Sequence, residues 1–116
     1  MNVVADVLIG VVAALHIWFL VLEMFLWTTP TGRRVFGLEA DFAEQSKVLA
    51  ANQGLYNGFL VAGLIWGLVT QDTGVQVFFL LCVVVAGAYG AATVNRRILY
   101  VQALPAALAL GALALS

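Results

Sequence analysis

An apolar run covering residues 3–27 constrains this chain more than any other feature. It contains only three ionisable side chains, Asp6, His16 and Glu23. About 20 apolar residues suffice for a helix to cross a hydrocarbon core of ~30 Å, so the run predicts a membrane-spanning helix. A carboxylate as deep as Glu23 costs about 2.5–3.5 kcal/mol on insertion scales. Glu23 is therefore expected to face a protein interior or a wet cavity.

The composition extends this reading to the whole chain. Of the 116 residues, 64% are hydrophobic and 9% are charged, and the mean hydropathy is +1.05. A bilayer supplies the apolar solvent that so much apolar surface needs. We predict an all-α, polytopic membrane protein with a single domain over residues 1–116. The net charge of −1 gives no reason to expect a nucleic-acid partner.

Polar segments divide the chain into four candidate spans. They cover about residues 3–27, 47–69, 75–94 and 98–115. Each approaches the length that a bilayer requires, and Pro105 is expected to kink the shortest, the fourth. The pattern predicts a four-transmembrane-helix bundle.

The first connection, 28–46, is the only long one. Pro30 and Gly32 are expected to stop the first helix. Asp41, followed three residues later by Glu44, resembles a capping box, so the second helix is expected to begin before the membrane.

The basic residues predict an orientation. All five belong to the first and third connections or border them: Arg33 and Arg34 lie on the first, Lys47 directly follows it, and Arg96 and Arg97 lie on the third. Four spans place these two connections on one side, and the positive-inside rule makes that side cytoplasmic. We therefore expect a multi-pass inner-membrane protein with both termini on the non-cytoplasmic side.

A layer of polar side chains is predicted near the cytoplasmic face. Glu23 lies four residues from the inner end of its span, about 6 Å deep. Hydrogen-bonding groups lie at similar depths in the other helices: Asn52, Gln53, Tyr56 and Asn57 in the second, Tyr89 in the third and Gln102 in the fourth. The four in the second helix are expected to share one face.

Two interpretations of this layer stay open. Polar groups that bond across membrane helices can specify packing alone, at about 0.6 kcal/mol each. Uncharged groups suffice for packing, so Glu23 favours a binding or reaction site. His16 shares a helix face with Glu23, but their Cα atoms are about 10.5 Å apart along the axis. Without a Cys/His cluster no metal site is predicted, and His16 is either a packing residue or a proton relay.

Small residues and arginines add two further expectations. The Gly54-x-x-x-Gly58 spacing allows close helix packing, either within one bundle or in a homo-oligomer. A bundle of this size has little room for a ligand cavity within one chain, and a homo-oligomer could place a site between subunits. The arginines at 33, 34, 96 and 97 either set topology and contact headgroups or hold an anionic ligand group.

Two segments resemble a known family. Residues 16–38 contain Glu-Met-Phe-x-Trp from Glu23, and residues 47–60 contain Ala-Asn-Gln-Gly-Leu-Tyr-Asn-Gly from Ala51. These strings are similar to a bacterial family of small four-helix membrane proteins described only as a domain of unknown function, number 1304. The resemblance covers nearly the whole chain. It implies a fold and a membrane location, and no activity.

A more distant likeness is to the membrane-associated eicosanoid and glutathione metabolism proteins. That resemblance implies four helices, both ends on the non-cytoplasmic side, and trimers with glutathione sites between subunits. The second helix of those proteins carries Arg and Glu beside its Asn. The corresponding stretch here, residues 50–57, has neither.

Three functions are compatible with these patterns. The favoured one is a polar pocket near the cytoplasmic face, around Glu23, that binds or processes an amphipathic small molecule. The alternatives are a structural or accessory membrane subunit, and a small proton-coupled transporter in which Glu23 carries the proton. No nucleophile–base pair or phosphate loop is visible, so the reaction and any cofactor stay unidentified.

Overall fold

The structure, a computed structural model, describes residues 2–115, and its regular elements are all helical. They are α1 (Val3–Met24), α2 (Pro30–Phe36), α3 (Ala40–Thr70), α4 (Thr73–Thr93) and α5 (Leu104–Ala114), the last preceded by a π-helical turn (Leu99–Ala103). The all-α class is thereby confirmed.

Among residues 2–115, three helices are long and apolar enough to cross a membrane: α1, α3 and α4. This agrees with the expectation of a membrane protein. The remaining apolar helix, Leu99–Ala114, is shorter, at about 24 Å against a hydrocarbon core of ~30 Å. The structure therefore supports three spans by length and composition, and the fourth stays a prediction.

The first connection contains a helix that the sequence reasoning missed. Helix α1 ends at Met24, and Pro30 begins α2 rather than only ending its predecessor. Thr29 caps α2, since its hydroxyl accepts a hydrogen bond from the Gly32 N–H at 3.3 Å. Gly37 ends α2 at φ +66°, and its N–H donates to the Arg33 carbonyl.

Helix α3 begins at Ala40, ahead of the apolar run, which confirms the expected early start. Asp41 lies inside its first turn and not at the cap, so its carboxylate stabilises the positive end of the helix dipole. The 31 residues of α3 extend about 46 Å, longer than a hydrocarbon core.

The predicted distortion at Pro105 takes the form of a π turn. Proline has no N–H to donate to the carbonyl four residues earlier, and its ring crowds that carbonyl. Just before it, the Leu104 N–H donates to the carbonyl of Leu99, five residues back. The wider turn accommodates the ring without breaking the helix.

The chain forms two compact units. The hairpin unit is His16–Phe59, and the flanking unit consists of the chain up to Leu15 and from Leu60 onwards. Helices α1 and α3 contribute to both. No observation tests the expectation of one domain, which stays a prediction.

The flanking unit has an apolar core built from four helices. Its buried members are Ile9, Val12, Ala13, Leu64, Leu80, Val83, Ala106 and Ala109. A Cβ on Gly63 would lie 2.3 Å from the Phe79 ring, so the missing side chain lets α3 and α4 approach closely. At one end of this unit Asn2 donates to the Ala112 carbonyl at 2.8 Å.

Candidate functional site

A buried amide holds the carboxylate of Glu23 in the hairpin unit. The Asn57 Nδ2 donates a hydrogen bond to Oε1 of Glu23. Asn57 is only 5% exposed and Glu23 is partly buried. The other carboxylate oxygen of Glu23 accepts no hydrogen bond from residues 2–115. One oxygen is thus fixed within the chain, and the second can accept a bond from another molecule.

Close packing of α1 on α3 brings the two residues together. A Cβ on Gly54 would lie 3.2 Å from the Glu23 Cβ, and one on Gly58 would lie 3.1 Å from a methyl group of Leu20. The pairing of Leu20 with Gly58 and of Glu23 with Gly54 makes the two helices antiparallel here. The Gly54-x-x-x-Gly58 spacing therefore serves packing inside the chain.

The expectation that Asn52, Gln53, Tyr56 and Asn57 share a face stays a prediction, and the four residues differ in burial. Asn57 is buried, whereas the other three are exposed, Tyr56 to 52%. The contact face of α3 is instead a stripe of small residues that includes Ala50 and Gly54. Asn57 continues this stripe at a spacing of three residues, and so it alone turns inward.

His16 precedes Glu23 in the same uninterrupted helix, α1, and is fully buried. Its ring meets Phe19 edge-on, with the centroids 5.3 Å apart. A buried ring packed in this way fits the packing interpretation of His16. In the described part of the chain, no three His, Cys, Asp or Glu side chains gather as metal ligands would.

Trp27, which lies in the turn before α2, contacts both α2 and α3. Its indole Nε1 donates to the Ser46 hydroxyl at 2.9 Å, and that hydroxyl donates to the Phe42 carbonyl at 2.7 Å. The Trp27 ring also packs on Phe36, with the centroids 4.9 Å apart. Sequence reasoning did not select Ser46. The available signal was that a half-buried indole N–H needs an acceptor.

An open depression of about 300 Å³ lies at α2, lined by Pro30, Arg33, Arg34, Gly37 and Leu38. Nε of Arg33 is buried and has no hydrogen-bond partner among residues 2–115. Within those residues the ion pair is that of Lys47 with Glu44, so neither arginine is neutralised by a carboxylate. The depression therefore has a positive lining.

The other predicted site residues belong to the flanking unit. Tyr89 is 72% exposed, Arg96 and Arg97 are exposed, and Gln102 is partly buried in the π turn. The Tyr89 carbonyl accepts a hydrogen bond from Thr93 at 2.7 Å. Membership of Tyr89 and Gln102 in the polar layer stays a prediction, as does the holding of an anionic group by Arg96 and Arg97.

Comparison with known sequences identifies the family. The profile described as protein of unknown function (DUF1304) matches residues 10–114, nearly the whole chain. The chain belongs to this family. It is also 31% identical over 112 residues to the "Uncharacterized protein YpaA" of Lactococcus lactis subsp. lactis (strain IL1403). That match covers 92% of this chain and 94% of the relative. No solved structure matches the chain.

Membership in DUF1304 confirms the resemblance drawn from the Glu23 and Ala51 strings. The matched residues include α2, the Glu23–Asn57 pair and most of both units. The family description names no activity, so the function has to be argued from the geometry.

Proposed function

We propose that this DUF1304 protein binds an amphipathic small molecule at Glu23, close to the cytoplasmic face of the membrane. One observation carries the proposal: a partly buried carboxylate in an apolar helix has one oxygen bonded to Asn57 and the other unpaired within residues 2–115. Desolvating a carboxylate is costly, and an amide would serve packing equally well. The charge therefore points to a ligand.

The geometry narrows the ligand class. When Glu23 is ionised it only accepts hydrogen bonds, and the group that this form binds is then a donor, such as a hydroxyl or an amine. Asn57 restricts the rotamers of Glu23 and so prepares the second oxygen for that donor. The surrounding helices are apolar, which suits an alkyl or aromatic portion beside the donor.

A homo-oligomer is part of the proposal. Asn52, Gln53 and Tyr56 are exposed on α3, beside the stripe that packs on α1. Within a bilayer such groups are better covered by polar groups of another helix than by lipid tails. A second copy covering this surface would complete a pocket that the single chain leaves open.

Native mass spectrometry of the protein released from mild detergent tests the proposal. Wild type is expected to carry a discrete bound mass that Glu23→Gln loses. The glutamine keeps an oxygen for Asn57, so the fold should persist, and it replaces the second carboxylate oxygen with a neutral NH2 group that donates instead of accepting. Glu44→Gln is the matched control, because it removes an exposed carboxylate paired only with Lys47.

The competing functions predict different results. A ligand-free wild type with an unchanged oligomer would contradict the binding proposal and support an accessory subunit. Transport by Glu23 requires substrate-driven proton uptake in liposomes that the glutamine variant abolishes. Proton uptake that persists in this variant would eliminate Glu23 as the proton carrier.

A further inference from the structure

The depression at α2 differs in chemistry from the Glu23 site. Its five lining residues include two arginines and no carboxylate, and Glu39, the next residue along the chain, does not line it. At about 300 Å³ it has the volume of about ten water molecules, enough for a phosphate group. The end of α2 shapes it, since Gly37 and Leu38 both donate backbone hydrogen bonds to the Arg33 carbonyl.

Arg33 supplies the most specific evidence. Its Nε is covered by the protein and has no hydrogen-bond partner in the described chain, so the guanidinium can meet a ligand in the depression only through its two terminal nitrogens. Those two nitrogens are parallel donors that match two oxygens of an oxyanion. Among residues 2–115 no carboxylate pairs with Arg33, so an oxyanion in the depression would supply the missing partner.

We propose that this depression binds an oxyanion of the phosphate type, with Arg33 as the bidentate donor and Arg34 as the second charge. As a ligand for two adjacent guanidinium groups, a phosphate is a better match than a single carboxylate group. The proposal goes beyond the function assigned to Glu23, which plays no part in it. Val35 and Phe36 of the same helix are 43% and 40% exposed, which suits a phosphate borne on an apolar molecule.

The test compares two sources of phosphate. Purified protein in neutral detergent is titrated with inorganic phosphate while its thermal unfolding is followed. Separately, native mass spectrometry measures retention of dioleoyl phosphatidylglycerol against dioleoylglycerol, which has the same chains and no phosphate. The variants are Arg33→Gln and Arg33→Lys. The control is Lys47→Gln, which removes an exposed cation that is paired with Glu44 and does not line the depression.

Each Arg33 variant is expected to weaken phosphate binding about tenfold, the cost of losing one charge-assisted pair of hydrogen bonds. Arg33→Lys should weaken binding as Arg33→Gln does. Lysine keeps the charge, but its ammonium group cannot donate the two parallel hydrogen bonds of a guanidinium. The control should change affinity less than about twofold, as exposed charges contribute little. Helix content and elution volume show whether each variant is folded.

The outcomes separate the sources. Retention of phosphatidylglycerol without an effect of inorganic phosphate identifies a lipid headgroup, and stabilisation by inorganic phosphate identifies a free anion. Either result supports the site. The proposal would be overturned if the protein bound neither inorganic phosphate nor phosphatidylglycerol. Equal losses in the Arg33 variants and the control, or full binding by Arg33→Lys, would also overturn it. Glu23→Gln should leave phosphate binding intact, so this proposal and the Glu23 proposal fail independently.

Discussion

The absence of a side chain at Gly32 lets α2 fold back on the turn that follows α1. A Cβ there would lie 1.9 Å from the Leu26 carbonyl oxygen and 2.7 Å from its carbon. Both are backbone atoms that no rotamer change can move. The position of α2, and with it the arginine-lined depression, therefore depends on this single glycine.

Gly32→Ala is expected to destabilise the protein by about 1–3 kcal/mol, because α2 must move to relieve the overlap. Gly10→Ala is the control, since a Cβ at Gly10 would meet nothing within 4 Å. Alanine in that helix interior should be stabilising by about 1 kcal/mol. Thermal unfolding in detergent, followed by circular dichroism, measures both. Equal stability of the two variants would contradict the overlap at Gly32.

Prolines act differently in two helices of this protein. Pro30 occupies the first turn of α2, where a missing N–H leaves no helical carbonyl unpaired. Pro105 follows an uninterrupted helical segment, and the π turn lies immediately before it. Helix α4 packs against this turn: a Cβ on Gly87 would lie 2.7 Å from the Ala103 nitrogen. The π turn thus affects which side chains of residues 99–103 face α4.

Pro105→Ala is expected to convert the π turn to α-helix, since the new N–H can donate to the Val101 carbonyl. The Leu104 amide should then change its acceptor from Leu99 to Tyr100, rotating residues 99–103 by about 100° relative to α5. Amide hydrogen bonding by NMR in micelles detects this change. Pro30→Ala should leave α2 unaltered. A π turn that persists would mean that packing against Gly87 maintains it.

Across the whole chain, contacts at one end of the flanking unit bear on topology. Asn2 bonds to Ala112, and Gln71, in the turn between α3 and α4, donates to the Asp6 carboxylate at 3.3 Å. The beginning of α1 and the end of α5 therefore lie together in this unit. A fourth crossing would place both chain ends on one side of the membrane, and three crossings would separate them.

We expect both ends to be non-cytoplasmic, because the basic connections are retained inside. Fusions of alkaline phosphatase and of green fluorescent protein to each end report the side. Active phosphatase at each end, with fluorescence at neither, would support four crossings. Fluorescence at the C-terminus alone would contradict them, and Leu99–Ala114 would then be a helix that does not cross. Fusion after Asp72, in the second connection, is the internal control.

Periodicity and charge placement predicted much of this protein. The apolar runs located three long helices and the shorter fourth one, because hydrophobic length is a local property that needs no knowledge of neighbours. Pro105 marked the distortion for the same reason. The interest of Glu23 also followed from its own environment, a carboxylate in an apolar run.

Partners and contact faces depended on tertiary structure. Four polar residues of α3 were equivalent candidates for Glu23, and only Asn57 meets it, because Gly54 and Ala50 set the packed face. The bond of Trp27 to Ser46 and the buried Nε of Arg33 were invisible in the same way. Local pattern determines which segments are helical, whereas burial and hydrogen-bond pairing arise only when distant segments pack.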